Sequence, residues 1–162
     1  MTKVQIKNYR QLEEYMSKKI KLALDECANQ ALDKLTQNVL DSVYDWQPSR
    51  YKRSYQLLQA ISRTEVNKVY NRYVVEIFFD YTKMQPIIVD NGWNKHADFW
   101  GSWITNEKSS ADLVNWLEHG TNNKYFSHPE HGFIKDTVEW LNNELNDIFI
   151  RYITKCGVPI NK

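Results

Sequence analysis

Histidine, carboxylate and cysteine side chains are the groups in this chain that could do chemistry. His119, His128 and His131 fall within thirteen residues, with Glu118, Glu130 and Asp136 as nearby oxygen donors and His96 further back. Two imidazoles at His128-x-x-His131 could face one ion, with a carboxylate completing the set, as in a hydrolytic metal site. Pro129 prevents a regular helix through the pair, so their spacing does not impose one face. Loop histidines beside a turn explain the same residues, and no metal or other cofactor is expected. Nucleophilic catalysis lacks its usual signs: there is no Gly-x-Ser-x-Gly elbow, and neither Cys27 nor Cys156 lies in a loop with a histidine. The five glycines never form GxGxxG or GxxxxGK, so no phosphate cradle is written in the sequence. Glu13-Glu14 and Glu139 with Glu144 read as solvated helix faces. The chain is therefore read as a non-enzyme.

Charge gives a second class of partner. Arg50, Lys52 and Arg53 cluster, as do Lys18, Lys19 and Lys21, and exposed aromatics could stack on bases. The formal net charge of +1 argues against a chain built to coat a phosphate backbone. A nucleic-acid-associated protein is the runner-up reading. Aromatic residues make up 14% of the chain, with six tryptophans and ten tyrosines, which is more than one small core needs. Some are expected at an interface, where rings bury large areas and keep a polar tip.

The elements that must position these residues follow from periodicity. A chain of 162 residues is most economically one domain. From about Asn8 to Tyr44, Leu12, Met16, Ile20, Ala23, Leu24, Cys27, Ala31, Leu35, Val39 and Val43 recur at helical spacing without glycine or proline. Asn8 is the expected N-cap. Such a helix approaches roughly 50 Å, so it protrudes, crosses a sheet or packs on copies of itself. Tyr51 to Ile61 is a short helical segment. Glu65–Tyr70 and Tyr73–Phe79 then read as two strands of a hairpin about Asn71-Arg72. The second strand is apolar on both faces, which predicts cover on both sides. Residues 81–110 form an irregular insert that holds Trp93, Trp100 and Trp103, with Pro86–Val89 as a short strand inside it. These three tryptophans are the expected anchors for another subunit. A short helix through Leu113, Trp116 and Leu117 should close at Gly120 in a left-handed C-cap. The last helix is expected to open at Asp136, with Glu139 completing a capping box, and Gly157 with Pro159 to end it. The fold class is α+β: an antiparallel sheet of about three or four strands packed by the N- and C-terminal helices.

Two isolated cysteines form no disulfide framework and suit a reducing compartment. The N-terminus lacks a signal-peptide core, and no run nears the ~20 apolar residues that span a bilayer. Synthesis in a cytoplasm, without a membrane partner, is the expectation.

The segment Glu118-His119-Gly120-Thr121, followed by Pro129 and Phe133, resembles the "E-x-G-T … P-x-x-F" region of bacteriophage head–tail connector and tail-completion proteins. The run Tyr51-Lys52-Arg53-Ser54-Tyr55-Gln56-Leu57-Leu58-Gln59-Ala60-Ile61 resembles a second motif of that family, and the order of elements is similar over most of the chain. Two departures stand out. The family often has Arg-Thr-Gly where this chain has Arg53-Ser54-Tyr55, and the Trp-rich insert is longer than expected. The resemblance implies a structural virion protein of the neck, assembled in a host cytoplasm as a ring or multi-copy body, hexamer and dodecamer being candidate sizes. It implies portal-side connector and tail-tube or tail-terminator partners, and leaves contact with channel DNA open.

Overall fold

The N-terminal helix, α1, runs Tyr9–Val43, 35 residues and about 52 Å long. The computed structural model describes residues 6–45, 55–84, 114–115, 117–122, 127–158 and 160. Asn8 is the N-cap, with extended backbone and a side-chain oxygen that accepts from the Gln11 N–H at 3.0 Å. From Ala23 onward the helix buries Ala23, Cys27, Ala28, Ala31, Leu35 and Val39. The small residues in that series let a neighbour approach closely. Before Tyr15 the helix is exposed on all sides, so the apolar pattern runs on past the core.

The neighbour is the C-terminal helix, α3, Phe133–Lys155, which runs antiparallel to α1. Asn38 donates to Thr137 Oγ1 at 2.9 Å near one end, and Gln30 donates to the Tyr152 hydroxyl at 2.8 Å further along. At the far end Tyr15 lies beside Gly157. The N-cap is Gly132, at φ +61 and without a side-chain bond, four residues before the expected cap Asp136. Asp136 instead lies in the first turn, where its charge suits the helix dipole.

Between these helices come α2 (Gln56–Ala60) and a bent hairpin made of β1 (Ile61–Arg63), β2 (Asn67–Val69), β3 (Arg72–Val74) and β4 (Ile77–Phe79). Ile61 faces Phe79 and Arg63 faces Ile77, while Asn67 faces Val74 and Val69 faces Arg72. Three residues, 64–66, thus oppose two, 75–76, which is a β-bulge. The Thr64 N–H donates to the Glu76 carbonyl at 2.9 Å, and the Glu76 N–H donates to Thr64 Oγ1 at 3.0 Å, holding the bend. The extra residue divides the antiparallel ladder into two-stranded sheets where the alternation predicted continuous strands. It also turns the tip outward, so only one face is covered. Phe79 is buried and Val75 and Ile77 half-buried, whereas Val74 and Phe78 are exposed. The expectation of cover on both faces fails because no described element lies over the second one. The loop is Tyr70-Asn71, one residue earlier than expected, and Tyr70 has φ +54.

A further two-stranded pair, β5 (Thr121–Asn122) with β6 (Ser127–His128), precedes α3. The protein is thus α+β, with small antiparallel sheets and two long helices. Its core joins Leu35, Val39, Leu57, Ala60, Phe79, Met84, Val114 and Phe133. Phe79 and Phe133 meet edge to face at 5.9 Å between ring centroids, a favoured aromatic geometry. At the entrance to α2, Tyr55 has φ +56. This is the position at which the resembled family often carries glycine. Tyr55 stacks on Tyr44 at 4.9 Å, a contact that offsets the strained backbone.

Candidate functional site

The acidic turn is built from three pieces brought to the start of α3. Val114, Asn115 and residues 117–119 are helical, and Gly120 ends this stretch at φ +72, in the left-handed region expected for it. The chain then passes through β5 and β6, with Thr121 opposite His128, and returns at His131. There the His131 N–H donates to the Leu117 carbonyl at 3.0 Å, and the Gly132 N–H to the Glu118 carbonyl at 3.1 Å. Glu118 itself is buried. Its Oε2 accepts from the Ile134 N–H and its Oε1 from the Lys135 N–H, both at 2.8 Å.

Glu118 therefore caps α3 from sixteen residues away. A helix leaves its first N–H groups without intrahelical partners, and the dipole makes that end attractive to a carboxylate. Gly132 has no side chain to do this work, so both oxygens of Glu118 supply it. The same arrangement seats Phe133, the first residue of α3, fully in the core. Glu118, Gly120 and Phe133 thus form one brace: a carboxylate, the turn that aims it, and the ring it helps to bury. Thr121 starts β5 immediately after the turn.

His119 is exposed, and His131 is half-buried with its backbone bonded to Leu117. Among the described residues no three His, Cys, Asp or Glu side chains come close enough to hold a metal. His96, and the tryptophans Trp93, Trp100 and Trp103 expected to anchor another subunit, lie outside the described residues. Arg50, Lys52 and Arg53 lie outside them too. Both cysteines are free thiols. Cys27 is buried, and that burial, then the neighbouring Glu26 charge, pushes its thiol up from the ordinary value. That is the environment of a packed, unreactive side chain. No described helix is long and apolar enough to cross a membrane.

A family model described as YomN matches residues 8–155, from the N-cap of α1 to the last residue of α3. The chain belongs to the YomN family. This family is derived from Bacillus phage, which makes the chain a phage-related protein. Comparison with curated proteins and with solved structures returned no match. Within this YomN chain the sequence motif located the turn but not its partner. Nothing in Glu118-x-Gly120 says which N–H groups the carboxylate meets. Gly132, immediately before the apolar Phe133-Ile134 pair, was the available sign that α3 begins there.

A second feature was not legible at all. A surface hollow of about 500 Å³ lies where the hairpin approaches α1, lined by Arg10, Glu13, Glu14, Ser17, Lys18, Lys21 and Lys68. Lys68 pairs with Glu13 at 3.2 Å, and Arg10 with Glu14 at 3.0 Å. Lys18 and Lys21 form no ion pair among the described residues.

Proposed function

We propose that this protein is a structural component of the phage neck, present in several copies between the portal side of the head and the tail. The observation that carries the reading is the Glu118–Gly120 brace in a phage-derived chain. The motif through which the sequence resembles connector and tail-completion proteins is built here into a rigid support for the last helix. Its carboxylate has both oxygens occupied by backbone N–H groups. The role it suits is holding a shape, and a neck protein acts by shape: it presents fixed surfaces to neighbours in a closed assembly. Its partners in this reading are further copies of itself, a portal-side connector, and a tail-tube or tail-terminator protein.

The test is deletion of the gene from its phage. Particles should then accumulate as DNA-filled heads separate from tails, and complementation should restore them. Mass spectrometry of purified wild-type particles should find the chain in more than one copy. Fully infectious deletion particles, together with absence of the chain from wild-type particles, would overturn the reading.

A nucleic-acid-associated role is the second reading, favoured by the hollow with unpaired Lys18 and Lys21. The two glutamates in the same hollow weaken it for a polyanion. Salt-dependent retention of duplex DNA by the isolated chain, lost in Lys18→Glu/Lys21→Glu, would support it.

A further inference from the structure

The two sides of the bent hairpin differ residue by residue along its second arm. From Arg72 to Phe79 burial alternates without a break. Arg72, Val74, Glu76 and Phe78 are exposed, while Tyr73, Val75, Ile77 and Phe79 are half-buried or buried. This is the period of two of an extended chain, and the extra residue of the bulge lies on the other arm. The four exposed side chains therefore share one face. Val69, directly opposite Arg72 in the ladder, belongs to that face too. Its apolar members Val69, Val74 and Phe78 are 47%, 38% and 42% exposed.

The charges on this face are ordered. Arg72 stands two residues before Val74 and Glu76 two residues after it, each about 7 Å away along the strand. Glu65 is exposed on the other arm, beside the Thr64 that bonds to Glu76, and adds to the acidic end. Arg72, Glu76 and Glu65 form no ion pair among the described residues. From the tip towards the body the face thus runs cation, apolar centre, anion. A pattern in that order is complementary to itself. Turned about a two-fold axis through Val74, a second copy sets its Glu76 against Arg72 and its Arg72 against Glu76, with the two Val74 side chains between them.

We propose that two copies of this chain pair through the exposed face of the hairpin, with strands antiparallel across the interface and Val74 on the two-fold axis. Such a contact is isologous: both partners use the same patch, and residue pairs occur twice. Sheet faces pack about 10 Å apart, a gap that arginine and glutamate side chains bridge from opposite sides. Charge complementarity selects the occupant, because the order of charges on one copy matches the reversed order on the other. The proposal rests on the multi-copy reading above and names one of its surfaces, leaving the rest of each copy for other neighbours.

The experiment uses the full chain in analytical ultracentrifugation at low and high salt. Wild type should associate at low salt and weaken at high salt, where exposed charges are screened. Arg72→Glu and Glu76→Arg each bring like charges together across the axis and should raise Kd by roughly ten-fold or more. Both side chains are exposed, and Glu76 holds the bulge through its backbone, so circular dichroism should show an unchanged fold. Mixed together, the two variants carry opposite faces and should pair with each other more tightly than either pairs with itself. A wild type that stays monomeric at low salt overturns the proposal. So does a mixture that associates no better than its components. If both variants self-associate like wild type, the copies meet elsewhere: this interface falls while the multi-copy neck reading stands, to be decided by the gene deletion.

Discussion

At the level of single residues, Glu118 carries the argument. Its two oxygens accept from the Ile134 and Lys135 N–H groups, and the side chain is buried. Glu118→Ala should therefore leave both donors orphaned and lower stability by about 1–3 kcal/mol. Glu118→Gln keeps one acceptor oxygen and should fall between Ala and wild type. Urea midpoints measure the order, and an Ala variant with the wild-type midpoint would refute the cap. Gly120, at φ +72, should resist substitution, with Gly120→Val destabilising by over about 1 kcal/mol. Tyr55 presents the opposite case at φ +56. Tyr55→Gly relieves backbone strain but loses the stack on Tyr44, each effect being about 1 kcal/mol, so the melting temperature should barely move. A large drop would mean that the stack dominates. The sequence made Gly120 readable because an apolar helix that stops at glycine has few other geometries. It could not show Glu118 as a cap, because that role depends on where the chain returns after β6.

Among the elements, α1 and its N-cap were legible from spacing and from Asn8, while the hairpin was legible only in outline. A bulge adds one residue to one arm without changing composition, so alternation alone ran each strand too long. The same bend exposes the tip. Tyr70 sits there at φ +54, 92% exposed, and without the stacking partner that Tyr55 has. Tyr70→Gly should accordingly stabilise the protein by up to about 1 kcal/mol, since the loop needs a backbone angle that glycine adopts freely. Thermal melts of the two proteins decide it. A lower midpoint would mean that the Tyr70 ring makes a contact worth more than the strain. The start of α3 was misplaced for a related reason: Asp136 has the residue type of a cap, but the cap that forms is remote, and it lets the helix begin at Phe133.

For the whole molecule, stability should be graded along α1, from a core packed on α3 to an end that reaches past it. The buried Cys27 thiol marks the stable part. Its pKa is raised in the folded chain, so the unfolded thiol ionises first, near the ordinary value of 9.0. Stability from this group is complete below that pH and declines as pH rises through the folded value. Cys27→Ser should flatten that alkaline decline. The other end of α1 makes a sharper case. Residues 9–14 are helical yet exposed all round, and so short a stretch holds its own hydrogen bonds poorly in water. Amide exchange in the monomeric chain should therefore be fast through Tyr9–Glu14 and slow from Cys27 to Val39, where opening requires loss of the α1–α3 packing. Slow exchange through Tyr9–Glu14 in a proven monomer would show that this end is already supported within one chain.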